Sequence, residues 1–232
     1  MEQAKSFDEL NAQELNELGN AYSARGMWED AIRSYLRSLA LRKTGGDIKG
    51  QGIVLNNLGA VYYSQGRREE ALECYEGSWE IANKCGQKLS ELVALMNLVF
   101  LHFTEGQDSE FLVRAEQAEE LALALERWEP LSKLSWLRGR LALSGSGDFE
   151  QGAGHYADAL RLAATEGETE LMQMLSRVDR QAEELLFRGS RGMALVLYDY
   201  LLTFVEDQGF SEKIQDYLAD KRDEILHRPS LP

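Results

Sequence analysis

The chain has 232 residues, with 39 acidic and 25 basic side chains, a net charge of −14 and 44% hydrophobic residues. This is a globular rather than a disordered composition, and the acidic excess argues against nucleic acid as the main partner, because a phosphate backbone is met by many lysines and arginines. No stretch approaches the roughly 20 apolar residues of a membrane span. Met1-Glu2-Gln3-Ala4-Lys5 lacks the charged-then-apolar layout of a signal peptide. A soluble cytoplasmic protein is therefore expected, with neither membrane nor nucleic acid as partner. The two cysteines, Cys74 and Cys85, have no metal or redox spacing and are expected as reduced, partly buried thiols. Proline is scarce, which leaves long stretches free to be helical.

Taken in chain order, the sequence repeats itself. Asn11 with Glu14 three residues on reads as a capping box opening a helix. Leu15, Leu18, Gly19, Tyr22, Gly26, Ala31 and Tyr35 then recur 40 residues later as Leu55, Leu58, Gly59, Tyr62, Gly66, Ala71 and Tyr75. A fixed period of this size marks a solenoid. Within each unit the apolar residues step by three and four, so the elements are helices. Gly26 and Gly66 fall between two such runs, where glycine ends one helix and turns into the next. Gly19 and Ala31 are small where two antiparallel helices approach, so each unit is expected to be a helical hairpin with a compact crossing. Thr44-Gly45-Gly46-Asp47 and Cys85-Gly86-Gln87 read as stops between helices.

A third unit shows Leu95, Leu98 and Gly106, with Val99 and Phe111 where the first two have glycine and alanine; its crossing must be wider or rearranged. A fourth is carried by Trp136, Gly147, Phe149, Tyr156 and Ala159, with a one-residue ambiguity around Gly139. A fifth is carried by Val178, Leu185, Gly189, Ala194, Tyr198 and Leu201. Residues from Ser211 to Leu226 read as one last amphipathic helix closing the stack, as a terminal cap must, and a tail from His227 to Pro232 is expected to fray. The expected division is an array over 1–209, with units at about 12–51, 52–91, 92–131, 132–173 and 174–209, and a capping helix and tail over 210–232.

The motifs Leu18-Gly19-Asn20-Ala21-Tyr22 and Asn56-Asn57-Leu58-Gly59-Ala60-Val61-Tyr62, each followed by glycine, alanine and tyrosine, resemble the tetratricopeptide repeat family. The period of 40 rather than 34, and the absence of a proline closing each unit, are similar to the subclass found in kinesin light chains, spindle-orientation adaptors and bacterial signalling proteins. The resemblance implies an all-α fold, an α-α superhelix of about five helical hairpins plus a capping helix. It also implies a non-catalytic adaptor or scaffold that holds a protein or peptide segment in a concave groove, without a cofactor. A structural assembly factor acting through self-association and a peptide-responsive regulator stand as alternatives, and both a monomer and a homodimer are compatible with the sequence.

The first helix of each hairpin lines the inner surface in that family. Offsets of 40, 40, 41 and 42 then align Glu17, Asn57, Asn97, Arg138 and Arg180 in one column, and if Gly139 is the true counterpart of Gly59, Leu137 replaces Arg138. An asparagine amide both donates and accepts, so it suits a peptide backbone; Asn16, Asn20 and Asn56 lie on the same helices. Tyr63, Phe100 and Phe103 are expected to offer apolar contact. Grip on a C-terminal carboxylate, as in co-chaperone members, is disfavoured because Asn16, Val93 and Asn97 occupy the places of the cations. The remaining aromatics, among them Tyr22, Tyr35, Tyr62, Tyr75, Trp28, Trp79 and Trp136, read as packing residues. His102, His155 and His227 are too scattered for a metal site. No Gly-x-x-x-x-Gly-Lys loop occurs, Gly145-Ser146-Gly147 reads as a turn, and the acidic runs at Glu116 to Glu120 and Glu166 to Glu170 read as solvated helix faces.

Overall fold

The computed structural model describes residues 6–144 and 149–228, and of Ser144 only the backbone. The described residues form eleven α-helices after a short 3-10 turn at Phe7–Glu9, and no strand occurs among them. The chain divides into two compact units, Met1–Leu125 and Glu126–Pro232. The first holds α1 (Ala12–Ala24), α2 (Trp28–Thr44), α3 (Ile48–Ser64), α4 (Arg68–Lys84), α5 (Lys88–Thr104) and α6 (Asp108–Ala124). The second holds α7 (Trp128–Ser144), α8 (Phe149–Glu166), α9 (Glu168–Phe187), α10 (Arg191–Asp207) and α11 (Glu212–His227). Gly147 and the Gly145-Ser146-Gly147 turn lie outside the described residues.

In the first unit the period is set by the turns. Helices α2 to α6 each run 17 residues, and a left-handed glycine follows each helix from α1 to α5: Gly26, Gly46, Gly66, Gly86 and Gly106, at φ between 66° and 76°. The residue after each glycine donates its N–H to a carbonyl five residues back: Met27 to Tyr22, Asp47 to Arg42, Arg67 to Tyr62, Gln87 to Ala82 and Gln107 to His102, at 2.8–3.0 Å. This is the Schellman closure, in which glycine takes the conformation that other residues resist. The 40-residue repeat is thus two helix-plus-turn halves of 20. The sixth place in the series falls on Glu126, with φ 53°, the one non-glycine at positive φ among the described residues. At the start of the chain Asn11 caps α1 as its spacing predicted: its side chain accepts from the N–H groups of Gln13 and Glu14, and Glu14 answers by accepting from the Asn11 N–H at 2.8 Å.

The hairpins close on a glycine–tyrosine contact. A Cβ on Gly19 would lie 2.5 Å from the Tyr35 ring, and one on Gly59 would lie 2.7 Å from the Tyr75 ring. Both tyrosines are buried, as are Ala31 and Ala71 on the same trailing helices. The third hairpin exchanges the volumes. Val99 stands in the glycine position, Ala115 in the tyrosine position, and Phe111 in the alanine position, all fully buried; Phe111 meets Phe103 with ring centroids 5.5 Å apart. The crossing is rearranged, because the bulk removed at one place is restored at its neighbour and core density is kept.

In the second unit Gly139 sits against Tyr156, where a Cβ would lie 3.2 Å from the ring. This repeats the Gly59–Tyr75 contact and settles the register of the fourth hairpin. In the fifth, buried Ala182, Ala194 and Tyr198 hold the corresponding places. Helix α11 buries Ile214, Leu218 and Ile225. It is tied to the unit through the ion pairs Lys213–Glu168, Arg222–Asp199 and Arg228–Glu183 and through Tyr217, which donates to Asp179. His227 still belongs to the helix and Arg228 holds both carboxylate oxygens of Glu183 at 2.8–2.9 Å, so the expected fraying does not extend to these two; residues 229–232 lie outside the described part. Both cysteines are free thiols, half-buried, and burial pushes the Cys74 thiol up to about 11.

The turn account has a direct consequence. A Cβ added to Gly66 meets nothing within 4 Å, so Gly66→Ala changes only backbone strain and is expected to destabilise by about 1 kcal/mol. Glu126→Gly relieves the same strain and is expected to shift the urea midpoint the other way. Parallel urea titrations of the two variants check both signs; equal midpoints would contradict the account.

Candidate partner-binding face

In the first unit the leading helices α1, α3 and α5 lie side by side. Each shows solvent one stripe along its length: Gln13, Glu17, Asn20 and Ala24 on α1; Ile53, Asn57, Ala60 and Ser64 on α3; Leu89, Val93, Asn97, Phe100 and Thr104 on α5. These stripes stay in step because α2 to α6 and the turns share one length and α1 ends in the same register, so equivalent positions are 40 residues apart. Steps of three and four residues place the members of a stripe on one helix face.

Asparagine amides stitch the stripes together. Asn57 Nδ2 donates to Asn16 Oδ1 at 3.1 Å and to Asn20 Oδ1 at 3.2 Å. Asn97 Nδ2 donates to Asn56 Oδ1 at 2.8 Å. Asn20 Oδ1 also accepts from the Tyr35 hydroxyl at 2.7 Å; burial pushes that phenol up to about 12, so it remains a donor at neutral pH. Asn16 is buried, with 6% of its surface exposed, and its carbonyl needs this partner. The sequence suggested that each ladder amide would both donate and accept toward a peptide. The geometry narrows this: both amide hydrogens of Asn57 and one of Asn97 are committed between repeats, while their Oδ1 atoms make no hydrogen bond among the described residues.

The aromatics divide. Tyr63 and Phe100 meet edge to face with centroids 6.0 Å apart. Tyr63 is pinned by its hydroxyl on Thr104 Oγ1 at 3.2 Å and by the Arg68 guanidinium 4.2 Å from its ring, a cation itself paired with Glu105 at 2.7 Å. Phe103 instead turns toward α6 and packs on Phe111, so it belongs to the third crossing. Residues not singled out from sequence complete the face: Ile53, Leu89 and Val93 are exposed apolar side chains, Val93 at 51% and Phe100 beside it at 45%. The signal for Ile53 and Val93 was present in the repeat, since with Gln13 they form a column one turn before the asparagines.

Arg138 and Arg180 lie in the second unit. With Gly139 as the counterpart of Gly59, buried Leu137 holds the place equivalent to Asn57, and Arg138 leaves the column. Arg180 is exposed on α9. There the leading helices are bridged by Arg140, which donates to Gln181 Oε1 at 3.1 Å, in place of an asparagine. A cleft of about 510 Å³ in this unit is lined by Arg127, Lys133 and Arg177 together with Glu126, Glu129, Glu166 and Glu170, a mixed lining that selects no one charge. His102 is buried with its Nδ1 2.6 Å from Gln107 Oε1, a packed residue. The described residues contain no cluster of three or more His, Cys, Asp or Glu suited to a metal.

The tetratricopeptide repeat family model matches residues 8–84, the stretch spanning α1 to α4. Two solved structures extend the likeness in fold. BtubC (BKLC) from P. vanneervenii is similar with a TM-score of 0.62 at 14% identity, over 95% of this chain and 83% of that one. The putative kinesin light chain repeats of Podosopora anserina are similar with a TM-score of 0.53 at 17% identity, over 94% and 97%. No curated protein matches the chain in sequence. Tetratricopeptide repeats serve protein–protein interaction and are typically non-catalytic scaffolds. Among the described residues no helix is long and apolar enough to cross a membrane.

The amide bridge is measurable. Asn57→Ala leaves Asn16 Oδ1 buried without a donor and is expected to lower the melting temperature by about 2–4 °C, the equivalent of roughly 1 kcal/mol in a chain of this size. A double-mutant cycle with Asn16→Ala is expected to show coupling of about 0.5–1.5 kcal/mol. Additive effects would mean that the two amides do not support each other.

Proposed function

We propose that the protein is a non-catalytic adaptor or scaffold that holds a segment of a partner protein on the face of α1, α3 and α5. The observation that carries the reading is the combination of exposed apolar side chains, Ile53, Leu89, Val93 and Phe100, with amide carbonyls that have no internal partner. Exposed apolar residues clustered within a polar frame mark interaction sites, and repeat arrays use the aligned faces of successive units for binding. Asn57, Asn97 and Glu17 would meet polar groups of the segment, and Phe100 with Tyr63 its apolar side chains. The repeat division given above, the cytoplasmic setting and the absence of nucleic acid and cofactor belong to the same proposal.

The test compares faces. A photo-reactive amino acid placed at Val93 is expected to cross-link to a defined protein in the cells that make this chain, and Phe100→Asp is expected to abolish the product. The same group at Leu36, exposed on the trailing helix α2, is expected to give none. Identical products from both positions would contradict the reading.

A further inference from the structure

The stripes on α1, α3 and α5 differ in chemistry in a graded way. On α1 the stripe is mainly polar and carries a carboxylate at its middle: Gln13, Glu17 and Asn20, before Ala24. On α3 it is mixed: Ile53, Asn57 and Ala60. On α5 it is mainly apolar: Leu89, Val93 and Phe100, with Asn97 between them and Thr104 at the end. Across the middle runs the row Glu17, Asn57 and Asn97, one residue per helix. Glu17 accepts from Gln13 Nε2 at 2.9 Å through one oxygen, which leaves the other for a ligand. The Asn57 amide has spent its hydrogens on Asn16 and Asn20, and the Asn97 amide has spent one on Asn56. The row therefore offers chiefly acceptors. The cations that border these stripes are already paired: Arg42, which donates to Gln13 Oε1 at 3.0 Å, with Asp47, Lys88 beside Leu89 with Glu91, and Arg68 with Glu105.

From this we infer that the segment held by the face is a donor-rich one of stated polarity: lysine or arginine at the end that lies over α1, and apolar side chains at the end that lies over α5. This rests on the face being the binding surface, and it names what that surface selects. A basic side chain over Glu17 forms a charge-assisted hydrogen bond, and backbone or side-chain N–H groups meet Asn57 Oδ1 and Asn97 Oδ1. Apolar side chains cover Val93 and Phe100. An acidic segment meets acceptor against acceptor, with a carboxylate opposite Glu17, and is rejected by repulsion and by unpaired polar groups.

The experiment is a selection of random twelve-residue peptides displayed on phage, against the full chain at physiological salt, followed by counter-selection on Phe100→Asp. Phe100 is half exposed, so this variant is expected to keep the wild-type circular dichroism; Val93→Asp replaces it if it does not. Peptides lost on the Phe100→Asp chain are expected to carry lysine or arginine at one end and apolar residues at the other. A synthetic copy of the strongest is expected to bind at least tenfold more weakly to Glu17→Lys. Face-dependent peptides that are acidic, or that ignore Glu17→Lys, would overturn the polarity while leaving the face in place. Peptides that bind the Phe100→Asp chain unchanged, a failure to enrich any, or occupation of the face by a second copy of the chain in light scattering would overturn the face itself.

Discussion

Everything in the first unit depends on a backbone constraint: a turn of three residues whose middle member adopts the left-handed conformation. Glycine supplies it at Gly26, Gly46, Gly66, Gly86 and Gly106, and the N–H that follows closes each helix. Helices of 17 residues from α2 to α6, joined by turns of one length to an α1 that ends in the same register, keep the rotational phase of each leading helix the same. Phase decides function here, because a helix shifted by one residue turns its face by about 100°. Without that constancy Asn57 would not reach Asn16, Asn97 would not reach Asn56, and the exposed stripes would not line up.

The bridges between repeats occupy the same face that is open to a partner. On the proposed reading the asparagines serve stability and recognition with different atoms: Nδ2 holds the neighbouring helix and Oδ1 is left over. The second unit solves the bridging problem otherwise, with Arg140 on Gln181 and with Asp179 accepting from both Tyr198 and Tyr217. Arg140 is stacked on Trp136, and the position equivalent to Asn57 is buried Leu137. The two units share a hairpin but not a surface.

The hairpins, their compact crossings at Gly19 and Ala31 and the capping box at Asn11 were legible in the sequence, because each rests on contacts between residues close in the chain or on a repeated spacing; that the Tyr35 and Tyr75 rings fill the space at Gly19 and Gly59 was not. The half-period of 20 was harder to see: Gly46 and Gly86 carry the same turn as Gly26 and Gly66, but the apolar residues around them differ, so only the backbone shows the equivalence. The register at Gly139 stayed ambiguous because leucine and arginine neighbours fit two alignments; the ring of Tyr156 decides it. The packing of Phe103 on Phe111 was not legible, since it depends on a position that had lost the alanine of the other units. The internal use of the asparagine hydrogens could not be read at all, because it depends on the spacing of helices 40 residues apart.

The most direct measurement is amide hydrogen–deuterium exchange of the whole chain with and without a partner segment obtained from it or from selection. Slowed exchange confined to α1, α3 and α5, with the trailing helices α2, α4 and α6 unchanged, is the result this account predicts. Protection centred on the trailing helices, or none within the first unit, would contradict it.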